Sequence, residues 1–248
     1  MLQRRLDVKR GLNTAGYISG YRGSPLGGYD TALWRAKSHL DTYKIKFQPG
    51  VNEDLAATAC WGTQQVGLRP GAQYDGVFSI WYGKGPGVDR SGDALKHGNM
   101  AGTSQNGGVL VLAGDDHGAK SSTTAHQSEQ ALIAAMIPIF YPSSVQEYLD
   151  YGLYGFELSR FSGAWVGIKC VGDIVEGSAN VSLDTLGFEP SLPDFPLPEE
   201  GVHIRWPDKP VEQEKRLISI KLKAVEAFVK INQLNIVTHK SEKKRLGI

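Results

Sequence analysis

Gly108-Val109-Leu110-Val111-Leu112-Ala113 is an unbroken apolar run. It is too short for a core helix and lacks the alternation of a strand with one wet face. Such a run reads as a strand buried on both faces, the kind found in parallel sheets. Working outward, Asp75-Gly76-Val77-Phe78-Ser79-Ile80 reads as the strand before it, running into a Gly-rich loop from Trp81 to Asp89. Earlier strands are expected over 15–21 and 45–48, and later ones over 137–141 and 165–170. Between them lie helical patterns over about 29–40, 53–68, a polar stretch ending near Met100, 127–136 and, after the cap Pro142-Ser143-Ser144, as far as about Leu158. Pro70 and Gly71 supply a stop after the second of these. Strands alternating with helices predict an α/β fold, a doubly wound, mainly parallel sheet with helices on both faces.

The texture changes after Val181. The stretch 187–210 is proline-rich, including Leu192-Pro193-Asp194-Phe195-Pro196-Leu197-Pro198, and reads as an extended arm that cannot be a core element. Leu217, Ile220, Leu222, Val225, Phe228 and Val229 then mark an amphipathic helix over 211–232. The expected division is 1–182 for the α/β domain, 183–210 for the arm, and 211–248 for a helix and the start of a following domain. That last expectation rests on the basic run Lys240-Ser241-Glu242-Lys243-Lys244-Arg245 before Leu246-Gly247-Ile248. Residues 1–14 read as a basic helical lead-in with no chemistry of its own.

Composition excludes several classes. Twenty-seven basic residues against 26 acidic leave a net charge of +1, so no nucleic-acid footprint exists. No apolar run reaches the ~18 residues of a membrane span, and no signal-peptide core opens the chain. Cys60 and Cys170 stand alone, which suits a reducing cytoplasm and excludes a self-contained iron–sulfur centre.

In a doubly wound sheet, ligands sit beyond the carboxyl ends of the strands. Four loops are therefore expected on one edge, at 22–28, 49–53, 83–89 and 114–124, all rich in Gly, Ser or charge. Gly83-Lys84-Gly85-Pro86-Gly87 lacks the ending of a P-loop, and no GxGxxG or GxSxG occurs. Asp115, Asp116 and His117 have metal-ligand chemistry, but a loop packed by its own hydrogen bonds is the better reading. His97, His126 and His203 have no partner at ligand spacing and read as structural. In Val51-Asn52-Glu53-Asp54-Leu55-Ala56-Ala57, Asn52 is placed to cap a helix and Glu53 lies in its first turn. That carboxylate is either a charge placed for helix stability or an acid with a chemical role.

Several blocks together resemble the indolepyruvate ferredoxin oxidoreductases, thiamine-diphosphate enzymes of the 2-oxoacid:ferredoxin class. They are Tyr21-Arg22-Gly23-Ser24-Pro25, Asn52-Glu53-Asp54-Leu55-Ala56, Lys84-Gly85-Pro86-Gly87 and Asp115-Asp116-His117-Gly118-Ala119-Lys120-Ser121-Ser122, in that order. Pro142-Ser143, Gln146-Glu147 and Phe156-Glu157-Leu158-Ser159 follow. The likeness covers about 10–180 and is to the N-terminal, pyrimidine-binding region of the fused bacterial form.

The resemblance implies that Glu53 is the carboxylate hydrogen-bonded to the aminopyrimidine of thiamine diphosphate, held in a dry pocket. It places Lys84 and Gly87 on the cofactor edge, and Gly23, Ser24 and Pro25 beside the substrate carboxylate. Arg22 stands where the family more often has Pro, so substrate preference does not carry over. Asp115, Asp116, Ser121 and Ser122 match a loop that shapes a domain interface. The resemblance further implies Mg²⁺ and diphosphate bound by a domain marked Gly-Asp-Gly, which neither Gly114-Asp115-Asp116 nor Gly92-Asp93-Ala94 satisfies. Iron–sulfur clusters, coenzyme A and ferredoxin belong to the complete enzyme. The expectation is a half active site, dimeric and inactive alone; the alternative is a non-catalytic α/β assembly module.

Overall fold

The structure, a computed structural model, describes residues 1–120, 124–183, 187–237 and 240. Ser121, Ser122, the run 241–245 and Leu246-Gly247-Ile248 lie outside the described residues. In chain order the elements are α1 (Leu2–Lys9), β1 (Ala15–Gly20), α2 (Gly27–Arg35), α3 (Lys37–Thr42), β2 (Ile45–Phe47) and α4 (Glu53–Thr63). Next come β3 (Val77–Lys84), α5 (Gly85–Arg90), α6 (Gly92–Ala101), β4 (Val109–Asp115), α7 (Glu129–Ala134) and β5 (Ile139–Phe140). The rest are α8 (Val145–Ser162), β6 (Val166–Val171), α9 (Gly172–Val175), α10 (Pro210–Arg216), a π-helical turn (Leu217–Lys221) and α11 (Leu222–Ile231).

All strand pairs are parallel, in the order β2-β1-β3-β4-β6-β5. β4 is central and buried along its whole length on both faces except at Leu112, which is why it reads as one apolar run. One face packs Leu33 and Leu40 of α2 and α3 and Phe156 of α8 on Ile18, Phe78, Leu110 and Ile168. The other packs Ala57 of α4, Leu95 of α6 and Leu132 of α7 on Trp81, Val109 and Val111. The chain leaves β1 toward β2 and then returns to the other side for β3. The strand order therefore reverses between β1 and β3, which opens a crevice at their carboxyl ends.

Five expectations shift. The helical pattern over 29–40 is two helices, α2 and α3, meeting at Ala36, and the one from Glu53 ends at Thr63. β3 continues past Ile80 to Lys84, because Trp81 and Tyr82 are fully buried and the register with β4 holds to Lys84↔Gly114. Residues 1–14 are more than a lead-in: Asp7 of α1 is fully buried and takes two hydrogen bonds from Arg160 of α8, at 2.6 and 2.9 Å. The proline-rich arm has no regular structure from 187 to 209, yet it adds Val202 to the core with no exposure.

The C-terminal helices dock beneath the sheet, at the end opposite the crevice. Phe228 and Leu217 are fully buried, with Phe228 against Phe161 of α8. Lys221 is also fully buried, its Nζ 3.4, 3.3 and 3.2 Å from the carbonyl oxygens of Asn99, Met100 and Gly163. The amphipathic pattern explains the apolar anchors but assigned no role to this lysine. Among the described residues no helix is long and apolar enough to cross a membrane.

Candidate functional site

At the crevice, α4 begins with Glu53, and three local features set where it stands. Asn52 is extended (φ −153°, ψ 174°) and its Oδ1 accepts the Leu55 amide at 2.8 Å, the cap expected from sequence. The indole N–H of Trp81, from β3, donates to the Glu53 carbonyl at 2.9 Å. The Glu53 side chain lies on the bare Cα of Gly87: a methyl group there would come within 2.5 Å of its Cγ and 2.8 Å of Oε1. Ala56, Ala57 and Cys60 bury the inner face of the helix, so its first turn is rigidly based.

The other expected residues fall on the same edge. The stem of Lys84 passes over Gly23, whose added methyl would be 3.3 Å from the lysine Cβ. Pro25, after a cis peptide bond from Ser24, packs with Leu26 on Gly114 at the end of β4. Thus Glu53 meets Gly87 and Gly23 meets Lys84, while Ser24 and Pro25 lie toward β4 and β6. The dry pocket expected around Glu53 is not closed within this chain. Glu53 is half-buried, and its neighbours Val51 and Leu55 are 83% and 53% exposed. The protein interior covers one side of the carboxylate and leaves the other open.

His126 belongs to this edge, which its sequence setting did not suggest. Its Nε2 is 2.8 Å from an Asp89 carboxylate oxygen of α5, and its ring covers Gly85, where a methyl would come within 2.0 Å of Nδ1. Behind it Nδ1 faces Asp115, 3.6 Å away. Asp115 is fully buried, accepts both the amide and hydroxyl of Ser128 at 2.8 and 2.7 Å, and lies 3.5 Å from buried Lys169. Lys169 also bonds Glu129; burial raises that carboxyl, but the bond and charge of Lys169 outweigh this and hold it below its ordinary value. The single signal for His126 was its place in a loop following a parallel strand. In the described part of the 114–124 loop the Ala119 amide donates to the Asp116 carbonyl, which also accepts the amide of His126. No group of three or more His, Cys, Asp or Glu able to hold a metal ion occurs among the described residues.

The edge thus offers a held carboxylate and a nearby lysine around a crevice, a set suited to a ring nitrogen and an anionic group. Two curated proteins align with nearly all of the chain. Both are indolepyruvate oxidoreductase subunit IorA, from Methanothermobacter marburgensis (24% identical over 234 residues, 94% of this chain and 35% of that protein) and Methanothermobacter thermautotrophicus (25% over 233, 93% and 33%). The chain is similar to IorA over nearly all of its own length. It spans about a third of the length of these two proteins. No family model matches. Among solved structures, the thiamine diphosphate-dependent 4-hydroxybenzoylformate decarboxylase of Rhodococcus jostii RHA1 superposes with a TM-score of 0.51 at 13% identity, over 76% of this chain and 33% of that one. That likeness concerns the fold, and it agrees with the all-parallel, doubly wound sheet that this chain forms.

Proposed function

We propose that this chain is the pyrimidine-binding portion of a thiamine-diphosphate-dependent oxidoreductase. In this reading the complete enzyme oxidatively decarboxylates an arylpyruvate or similar 2-oxo acid to its acyl-CoA and passes electrons to ferredoxin. The observation that carries the reading is Glu53, opening α4 at the strand-order reversal, capped by Asn52 and seated on Gly87. A fixed carboxylate in such a crevice is suited to accept a hydrogen bond from an aminopyrimidine and to hold its proton. Thiamine diphosphate, when bound, supplies the electron sink that lets a 2-oxo acid lose its carboxylate. Lys84 lines the cofactor edge, and Gly23, Ser24 and Pro25 line the side where the substrate carboxylate enters.

The half-buried state of Glu53 supports a half-site, completed by a further domain or subunit that also binds Mg²⁺ and the diphosphate. Iron–sulfur clusters, coenzyme A and the ferredoxin contact are assigned to that remainder, with a homodimer in the cytoplasm as the working assembly. If the chain divides at 182 and 210 as expected from sequence, all of these site residues belong to the first unit.

The deciding experiment is calorimetric titration of thiamine diphosphate and Mg²⁺ into the chain, alone and with the remainder of the enzyme. Tight binding and turnover only on reconstitution, with turnover lost in Glu53→Gln, is the expected result. Reconstitution indifferent to Glu53 would instead mean that the fold serves assembly without catalysis.

Gly87→Ala separates position from stability. Alanine favours a helix over glycine by about 1 kcal/mol, and the atoms it meets belong to a side chain that can swing outward. Melting should therefore stay near wild type while turnover of the reconstituted enzyme falls roughly 100-fold, as a misplaced catalytic group does. Unchanged turnover in a folded Gly87→Ala protein would count against the seat assigned to Glu53.

A further inference from the structure

Trp81 has no exposure, lying in the core with Ala57, Cys60 and Val88. Filling that core would be sufficient reason for a tryptophan, so the use of its N–H is what distinguishes it. The indole nitrogens of Trp61 and Trp165 are also buried, and neither has a hydrogen-bond partner among the described residues. That of Trp81 is aimed at one atom, the carbonyl oxygen of Glu53. The ring reaches it by lying along β3 over Gly83, where a methyl would come within 2.6 Å of its Cη2. The strand is thereby shaped to let the indole point toward the crevice.

The consequence for Glu53 is geometric. A helix carbonyl serves the amide four residues on and keeps a second lone pair, which Trp81 takes. Bonding the main chain of the residue to the sheet fixes its Cα–Cβ direction. Gly87 then receives the next carbon of the side chain. Two anchors, one on the backbone and one under Cγ, define where the carboxylate stands. Neither touches the carboxylate from the open side, so a ligand there meets it unobstructed.

We propose that Trp81 is a positioning residue for Glu53, acting through its indole N–H and not through its bulk. This rests on the reading of Glu53 given above. Its role is to hold the first turn of α4 against β3 so that the carboxylate is in place before any ligand arrives.

The test compares Trp81→Phe with Trp165→Phe, which removes an equally buried indole whose N–H has no partner among the described residues. A third protein carries 3-benzothienylalanine at position 81, matching indole in shape without its N–H, and decides the matter if Trp81→Phe fails to fold. In the chain without cofactor, amide hydrogen exchange is read over residues 53–57. Loss of the tether should speed that exchange about tenfold in both position-81 proteins and leave Trp165→Phe at the wild-type rate, since exchange reports local opening. In the reconstituted enzyme with thiamine diphosphate and Mg²⁺, kcat should fall at least tenfold while cofactor affinity and KM change little, the split expected when a group is misplaced and not removed. Equal exchange at 53–57 in all variants would overturn the proposal. If the wild-type assembly fails to bind thiamine diphosphate, the functional reading fails by itself, and exchange in the free chain still decides for or against the Trp81 tether.

Discussion

Asp7→Ala is expected to destabilise the fold by about 3–5 kcal/mol, the range for removing one partner of a buried ion pair. The loss does not come from the missing attraction alone. Arg160 is 9% exposed and keeps its Nε on the Gly107 carbonyl and a terminal nitrogen on that of Asn106. Without Asp7 its charge stays buried, answered by Glu157 at 3.9 Å, itself shared with Arg10 at 2.7 Å. Against a typical stability of about 5–15 kcal/mol this is a large fraction. The change should also free α1, because Thr14 and Gln3 bond the same carboxylate at 2.6 and 2.9 Å. Denaturant melts of Asp7→Ala, Arg160→Met and the double variant would measure it. A double variant as stable as either single one or better is expected, and a loss under about 1 kcal/mol for Asp7→Ala would sink the account.

The same pair sets the acid limit. Burial pushes the Asp7 carboxyl up, but the hydrogen bonds and charge of Arg160, with Thr14 and Gln3, more than reverse this and leave it below the ordinary range. A carboxyl depressed on folding contributes stability above its unfolded value of about 3.9, lost as pH falls through the folded value. Unfastening of α1 from α8 should therefore begin below about pH 4.

Lys221 predicts the opposite end of the profile. Burial, then the charge of Arg216, lower its pKa from 10.5 to about 7, with Asp208 opposing and Arg205 adding to the shift. A lysine so depressed loses its proton on folding, so the unfolded chain binds more protons and stability rises with pH through this window. Between pH 7 and 8.5 the gain is about 1.5 kcal/mol, because the slope climbs from half of its limit of roughly 1.4 kcal/mol per pH unit as the folded-state lysine loses its proton. Above about 8.5 the buried thiols of Cys60 and Cys170, pushed up by burial, begin to erode it as the unfolded chain ionises. The Met1 amine, lowered by burial to about 6, adds a rise of the same sign below pH 8. Lys221→Met isolates the lysine: its stability should lack the part of the rise that wild type shows from pH 7 to 8.5. Parallel curves for the two proteins would refute the assignment.

What the sequence disclosed and what it withheld divide by range. The run at 108–113 and the Asn52 cap are local signals, carried by residues a few positions apart, and both hold in the structure. Trp81 and Tyr82 were hidden inside a stretch that reads as a Gly-rich loop, because aromatic residues followed by glycines suit turns as well as a strand end. Asp7 and Arg160 are 153 positions apart, and no periodicity links them. Lys221 occupies a buried position in an amphipathic helix, where pattern reading assigns every lysine to water. His126 finds Asp89 across 37 positions, and only the folded edge brings them together. In each case the missing information is tertiary: which carbonyl or carboxylate waits at the position where the charge is buried.

The sheet ends in β2 and β5, three and two residues long. Rims this short, one of them flanked by Lys44 and carrying Lys46, give a neighbouring strand almost nothing to pair with. Such rims disfavour extension of the sheet from one molecule into the next. An assembly built on this fold is thereby biased toward contacts made by side chains, which can be changed one residue at a time.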